Sequence, residues 1–282
     1  MADTRSSSVM VDGLRSPVIE AGDPHGREAV VFVHGSPGCG DEFVKLVGET
    51  GEFTRAIAPD MPGFGQADKP HPRDFIYDVP NIGVHLTKQL DALGVERAHF
   101  VGHDFGGAWA TFASLYDPMR VASLSLINAG LMRGMRWHGM ARLYRTPFAG
   151  EAFMAIANEW GFKRTLRGVP TAELDVMWRN FDRRSRKAIL ALYRATDIET
   201  QSWQLPQVRL STAQWQSIVV FGAEDPYLPT KFADRNRESL PNASVHLIDG
   251  AGHWPHLEAP ERVSKLLIPF LREQVTAAPT PT

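Results

Sequence analysis

Six short segments of the chain are almost continuously apolar and do not alternate with polar residues. Strands buried on both faces of a parallel sheet have this pattern, because helices cover both faces. Buried strands are therefore predicted at residues 29–33, 55–58, 98–101, 122–127, 217–221 and 244–248. Residues from about 6 to 20 predict a further pair of strands near the N-terminus.

Between these segments the apolar residues recur every three or four positions, the period of a helix that buries one face. Ile82, Leu86 and Leu90 follow this spacing within residues 81–93. The same period predicts helices at 106–116 and 260–275. Alternation of strands and helices predicts an α/β fold with a mostly parallel sheet and helices on both faces.

Residues from about 132 to 212 break this alternation, because they contain no convincing buried strand. Their apolar spacing predicts four helices, at 134–143, 149–160, 171–181 and 184–195. They also differ in charge, with 14 Lys and Arg residues against 7 Asp and Glu residues. We interpret residues 132–212 as an inserted helical cap, and residues 1–131 and 213–282 as the α/β core.

Composition excludes several classes of protein. The 282 residues are 43% hydrophobic and 22% charged, values that are typical of a globular chain. A net charge of −2 indicates no nucleic-acid partner. The single cysteine, Cys39, excludes an intrachain disulfide and a metal site of four thiolates. The first ten residues lack an apolar run and no segment is long enough to span a bilayer, which predicts a cytoplasmic protein without a membrane partner.

The main candidate for chemistry is the turn at residues 101–107, after the strand predicted to end at Val101. Gly102 and Gly106 flank Asp104 at a distance of two residues. This spacing permits the sharp turn that exposes one side chain above a sheet. A carboxylate needs no base to act as a nucleophile at neutral pH, and it would form an ester with the substrate. The alternative for Asp104 is an ordinary helix N-cap.

Two residues that follow later strands could act on the same ester. His253 follows the last strand among small residues and could activate water. A buried structural histidine is the alternative, and His256 is the competing candidate. Asp225 follows the penultimate strand and could orient the imidazole, or it could form an ordinary Asp-Pro turn. Glu224 and Asn128 are weaker candidates for that role.

Two backbone N–H groups are candidates for an oxyanion hole. One belongs to Phe105, directly after Asp104, and the other to Ser36, in the turn after the first buried strand. An ordinary Pro-Gly turn is the alternative for the second. The chain has no Gly-x-Ser-x-Gly segment, so serine hydrolysis has no obvious nucleophile.

These motifs together resemble the α/β-hydrolase superfamily, and the resemblance covers nearly the whole chain. The order nucleophile, acid, histidine matches that superfamily, as does the strand–turn–helix context of Asp104. The position of the cap between the sixth and seventh core strands and the segment at residues 60–65 are also similar. The resemblance implies an α/β-hydrolase fold with an inserted cap.

Within the superfamily, Gly-His-Asp at residues 102–104 and His-Gly-x-Pro at residues 34–37 resemble the epoxide hydrolases. In that family, tyrosines of the cap hold the epoxide oxygen, and the resemblance assigns this role to Tyr144 and Tyr193. Packing within amphipathic helices is the alternative for both. The resemblance implies an enzyme that opens a small apolar epoxide to a vicinal diol without metal or other cofactor. We expect a monomer or a homodimer.

Two other functions remain open. Haloalkane dehalogenases share the aspartate nucleophile, but many have tryptophan where this chain has Phe105, and asparagine or glutamate where it has Ser36. Fluoroacetate dehalogenases carry an arginine next to the nucleophile, which is absent here. A ligand-binding protein of the same fold without activity is the second alternative. The combination of Asp104, Asp225 and His253 argues against it.

Overall fold

A computed structural model describes residues 1–130, 134–166, 168–198 and 215–277. These residues form an eight-stranded sheet with the spatial order β1-β2-β4-β3-β5-β6-β7-β8. The strands are β1 (Arg5–Val11), β2 (Leu14–Ala21), β3 (Glu28–Val33), β4 (Arg55–Pro59), β5 (Arg97–His103), β6 (Val121–Ile127), β7 (Ser217–Gly222) and β8 (Ala243–Ile248). β1 and β4 each pair antiparallel with β2, and the remaining neighbours are parallel. The expected mostly parallel sheet is confirmed.

Helices cover both faces of this sheet. In the α/β core they are α1 (Val44–Thr50), α2 (Val79–Ala92), α3 (Phe105–Tyr116), α9 (Lys231–Arg235), α10 (Pro255–Glu258) and α11 (Pro260–Thr276). Between β6 and β7 the chain forms α4 (Gly139–Arg145), α5 (Ala149–Ile156), α6 (Glu159–Thr165), α7 (Thr171–Asn180) and α8 (Arg183–Ala195). Among the described residues, no helix is both long and apolar enough to cross a membrane.

Alternate residues of β3 face two different hydrophobic clusters. Val31 belongs to the cluster that includes Ile82 of α2, whereas Val30 belongs to the cluster that includes Leu267 of α11. All four side chains are fully buried. The apolar run is therefore continuous because neither face of the strand meets water.

The cap differs from its sequence prediction in its helix boundaries. The helix predicted at 149–160 ends at Ile156, and α6 begins after Asn158, whose side chain accepts the Gly161 N–H at 2.9 Å. An asparagine cap of this kind starts a new helix, which the apolar spacing did not reveal. The helix predicted at 134–143 begins only at Gly139. The predicted cap limits at 132 and 212 lie outside the described residues.

Candidate active site

Asp104 occupies a strained turn between β5 and α3. Its φ of 51° and ψ of −124° lie in a region that residues other than glycine rarely adopt. The turn needs glycine on both sides, because a Cβ at Gly102 would lie 2.4 Å from the Cα of Gly107. A Cβ at Gly106 would lie 2.1 Å from the carbonyl oxygen of Val33. The glycine spacing thus permits the backbone that presents Asp104.

The Asp104 carboxylate is directed at the candidate site and does not cap the following helix. Although the residue stands at the N-cap position of α3, its side chain makes no capping hydrogen bond. Oδ1 accepts the N–H of Ser36 at 2.9 Å, and the N–H of Phe105 is a further backbone group that lowers the pKa of this carboxyl. Oδ2 lies 3.4 Å from Nε2 of His253. Asp104 therefore stands at the N-cap position, but its carboxylate faces Ser36 and His253 and does not cap the helix.

Asp225 holds the imidazole of His253 from its other side. Its Oδ2 lies 2.7 Å from Nδ1 of His253 and also accepts a hydrogen bond from Nδ2 of Asn128 at 2.6 Å. Its Oδ1 accepts the N–H groups of Tyr227 and Leu228, at 2.7 and 2.9 Å. One oxygen thus forms the turn after Pro226, while the other orients the histidine. Asp225 therefore both forms an Asp-Pro turn and contacts the imidazole of His253.

The competing candidates have other places in the fold. Asn128 is fully buried and bridges the acid to β7, because its Oδ1 accepts the N–H of Gly222 at 2.9 Å. It therefore supports Asp225 and does not replace it. Glu224 is exposed. His256 is buried and lies 3.6 Å from the carboxylate of Glu42. Neither His256 nor Glu42 lines the cavity over Asp104.

The two carboxylates give His253 an unusual charge state. Burial alone would lower its pKa, but hydrogen bonds and charges from Asp104 and Asp225 outweigh burial and raise the pKa to about 10. For Asp104, burial is likewise outweighed by the bond and charge of His253, so its pKa lies below the usual value. The free site at neutral pH is thus an imidazolium between two carboxylates.

A cavity of about 310 Å³ lies over Asp104, between the core and the cap. The core contributes Ser36, Asp104, Tyr227 and His253 to its lining. The cap contributes mostly apolar and aromatic side chains: Met140, Tyr144, Phe153, Ile156, Phe162, Phe181, Ile189 and Tyr193. A largely apolar wall with a few convergent polar groups is typical of a site for a small apolar molecule.

Both cap tyrosines line this cavity. The ring of Tyr193 lies edge-on to Phe105, with centroids 5.1 Å apart, and edge-on to Tyr144 at 5.3 Å. Burial and then the charge of Asp104 raise the pKa of Tyr193 well above its usual value. Neither hydroxyl has a hydrogen bond to another described residue. Two protonated phenols are therefore available to a ligand, and the charge of Asp104 acts on Tyr193.

Sequence reasoning missed a third tyrosine. Tyr227 lines the cavity with its ring edge-on to His253, at a centroid distance of 5.1 Å. Its hydroxyl donates to the carbonyl of Thr165 at 3.2 Å, so it joins the core to the cap and is already engaged. Its position two residues after Asp225 was the available signal, because that loop must pass beside the histidine.

Comparison with known proteins supports the same architecture. A family model described as alpha/beta hydrolase fold matches residues 28–260. The 2-hydroxy-6-oxo-6-phenylhexa-2,4-dienoate hydrolase of Burkholderia cepacia is 26% identical over 274 residues, covering 92% of this chain and 93% of that protein. Epoxide Hydrolase A from Mycobacterium thermoresistibile has a TM-score of 0.81 at 24% identity, covering 96% and 98% of the two chains. The haloalkane dehalogenase DatA from Agrobacterium tumefaciens C58 has a TM-score of 0.81 at 20% identity, covering 96% and 97%.

Proposed function

Because this chain is a hydrolase that belongs to the α/β-hydrolase family, we propose that it opens an epoxide to a vicinal diol through an ester on Asp104. The observation that carries this proposal is the carboxylate of Asp104 in the strained turn between β5 and α3, which we call the elbow. One of its oxygens is held by the N–H of Ser36, and the other faces His253. A carboxylate in this position can displace a leaving group from saturated carbon.

The elbow residue also argues against the reaction named for the Burkholderia cepacia relative. Cleavage of a carbon–carbon bond next to a ketone requires an oxygen nucleophile that stays attached while carbon leaves. A carboxylate added to a ketone is itself the better leaving group, because its conjugate acid has a pKa near 4. The adduct would therefore return to the starting ketone. Attack on an epoxide carbon is not reversed in this way, because opening the strained ring releases its strain energy.

In the first step, Oδ2 of Asp104 attacks a ring carbon while the carbon–oxygen bond of the ring breaks. The electron pair goes to the ring oxygen, which becomes a strongly basic alkoxide and takes a proton from a phenol. Tyr193 is the first candidate for this donor and Tyr144 the second. Both line the cavity, and the charge of Asp104 acts on Tyr193. The product of this step is a hydroxyalkyl ester.

Esterification then changes the state of His253. The charge of Asp104 disappears, and with it one of the two carboxylates that raise the pKa of His253. The imidazolium becomes a stronger acid, and its proton passes to the tyrosinate, which restores the phenol and leaves the imidazole neutral. The neutral imidazole, still oriented by Asp225 at 2.7 Å, can now accept a proton from water.

In the second step that water attacks Cγ of the Asp104 ester. The carbonyl oxygen, Oδ1, becomes an oxyanion. It already accepts the N–H of Ser36 at 2.9 Å, and the N–H of Phe105 is the second candidate donor. Collapse of the intermediate expels the diol, which takes the remaining proton, and leaves Asp104 ionised beside the protonated His253. The cycle consumes one water molecule and needs only side chains and backbone groups of this chain.

The cavity supports a small and largely apolar epoxide as the substrate. Its volume of about 310 Å³ and its aromatic wall favour an aryl or short alkyl substituent. A monomer or homodimer in the cytoplasm, without a nucleic-acid or membrane partner, remains part of the proposal.

A substrate panel tests the reaction class. Purified enzyme is given terminal aryl and alkyl epoxides, haloalkanes of matched size, esters and a 2-hydroxy-6-oxo-dienoate, and the products are identified. We expect diol from the epoxides and activity lost in Asp104→Ala. Halide release as the main activity would favour a dehalogenase, and cleavage of the dienoate would contradict the proposal. No turnover on the whole panel would favour a ligand-binding protein.

A further inference from the structure

Three buried side chains from distant parts of the chain meet behind His253. Glu42 comes from a short 3₁₀ helix, Gly40–Phe43, His103 ends β5, and His256 lies in α10. The rings of the two histidines have centroids 4.6 Å apart, and His256 stacks on Phe43 at 4.9 Å. None of the three lines the cavity over Asp104.

Each side chain has at least one polar atom that lacks a hydrogen bond within the described part of the chain. These atoms are Oε2 of Glu42, Nδ1 of His103 and both ring nitrogens of His256, of which Nε2 is the one nearer Glu42. Each side chain is at most 2% exposed, so bulk solvent does not reach these atoms. Buried polar atoms without partners are costly, and three of them facing one another indicate a missing central ligand.

The separations between these atoms identify the kind of ligand. Oε2 of Glu42 lies 3.9 Å from Nδ1 of His103 and 3.6 Å from Nε2 of His256, and all three atoms lie within 4.8 Å of one another. The nitrogen and oxygen atoms of an N–H···O hydrogen bond lie roughly 2.7–3.2 Å apart. Donors around a tetrahedral zinc ion, at bond lengths of about 2.0–2.1 Å, lie roughly 3.4 Å apart. The observed spacing is closer to the second.

We propose that Glu42, His103 and His256 bind a divalent transition-metal ion such as Zn²⁺. Two imidazoles and one carboxylate are a donor set that suits zinc, with the fourth position open. The other polar atoms of two ligands are already held in place. Nε2 of His103 donates to the carbonyl of His253 at 2.8 Å, which leaves its Nδ1 with a free lone pair. Oε1 of Glu42 accepts the N–H of Cys39 at 3.2 Å.

The ion would connect the three segments that carry the candidate active site. Glu42 follows the turn that contains Ser36, His103 directly precedes Asp104, and His256 lies three residues after His253. A shared ion would fix these segments relative to one another. It would thereby hold His253 in place without contacting the substrate, so the proposal is independent of the reaction class.

Metal binding is tested directly with Zn²⁺. The protein is treated with a chelator, dialysed and titrated with ZnCl₂, and binding is followed by calorimetry, by metal content and by thermal unfolding. We expect one Zn²⁺ per chain and a Tm that rises with zinc but not with Mg²⁺. In His256→Gln the affinity should fall by at least about 100-fold, the upper range for loss of a group that only supports a ligand.

His85→Gln is the matched control. His85 is a buried histidine whose Nε2 also lacks a partner, but it lies outside the cluster. This variant should bind zinc like the unmodified chain. Absence of zinc binding in the unmodified chain, or equal binding by His256→Gln, would overturn the proposal. If His256→Gln does not fold, the unmodified chain is titrated with Co²⁺ in place of zinc. Absence of the absorption spectrum of tetrahedral cobalt would then also overturn the proposal.

Discussion

Replacing Asp104 by asparagine should lower the pKa of His253. Asparagine has nearly the same shape as aspartate but no charge, so it mimics the site after the ester has formed. The carboxylates of Asp104 and Asp225 together raise the pKa of His253 to about 10, against the lowering effect of burial. The substitution removes one of these two partners and keeps the other at 2.7 Å.

The size of the change follows from the contact between Oδ2 of Asp104 and Nε2 of His253. At 3.4 Å it is a long contact between charged groups, in a partly buried site. A hydrogen bond to a charged group contributes about 1.5–3 kcal/mol, and 1.36 kcal/mol corresponds to one pKa unit. The pKa should therefore fall by roughly one to two units. The same fall on esterification would make the His253 imidazolium a better proton donor to the tyrosinate, and the neutral imidazole that remains would be the base.

The assay is an NMR titration of isotopically labelled histidine across neutral and alkaline pH. The signal of His253 is assigned by its loss in His253→Gln. Asp74→Asn serves as the control, because it removes an exposed carboxylate and should leave the pKa unchanged. An unchanged pKa in Asp104→Asn would refute the claim that the nucleophile controls the charge of the base. An equal change in the control would refute it as well.

Three other substitutions and conditions give separate tests. Tyr193→Phe should slow ester formation from an epoxide by roughly 10–100-fold, because the alkoxide loses a hydrogen bond of about 1.5–3 kcal/mol. Ester formation from an alkyl halide should stay nearly unchanged. If rapid-quench experiments show the same loss of rate for both substrates, Tyr193 has no part in the mechanism. Asn128→Ala should lower the free energy of unfolding by about 1–3 kcal/mol, because it leaves the N–H of Gly222 buried without its partner. Urea unfolding measures this change, and an unchanged free energy of unfolding would contradict the reasoning. The pKa of His253 is raised on folding, so its stabilising contribution is complete below its unfolded value of about 6.5 and is lost as pH rises through about 10. That contribution is at most about 5 kcal/mol, from 1.36 kcal/mol per pKa unit. As pH rises through this range, the unmodified chain should lose more free energy of unfolding than His253→Gln. Parallel curves of unfolding free energy against pH would contradict this prediction.

The sequence predicts the sheet well because burial on both faces leaves a strong local pattern. The run that contains Val30 and Val31 is apolar throughout, since its alternate residues enter two different clusters. The elbow is predictable for a similar reason. Gly102 and Gly106 stand where any Cβ would collide with backbone atoms, so the spacing itself encodes the turn. The resemblance to the α/β-hydrolase superfamily is confirmed by the family match.

The cap is less predictable, because its helices are short and their ends depend on single residues. Apolar spacing runs through Ala157 and Asn158, but the side chain of Asn158 starts a new helix there. The direction of a tyrosine side chain has no local signature either. Tyr193 and Tyr227 both line the cavity, yet only Tyr227 has its hydroxyl engaged by the cap.

The cluster of Glu42, His103 and His256 could not be found from the sequence. Its members are far apart along the chain and show none of the short spacings that mark metal sites. They meet only because the turn after β3, the end of β5 and the loop after β8 converge at the carboxyl edge of a parallel sheet. Such a site depends on the topology as a whole.

The central claim is that Asp104 forms a covalent ester, and mass spectrometry of a trapped enzyme tests it most directly. His253→Gln is incubated with a terminal aryl epoxide that the unmodified enzyme hydrolyses, and then digested. We predict that the peptide containing Asp104 gains the full mass of the epoxide, and that Asp104→Asn combined with His253→Gln gains none. An unmodified Asp104 peptide, or an adduct on another residue, would contradict the account.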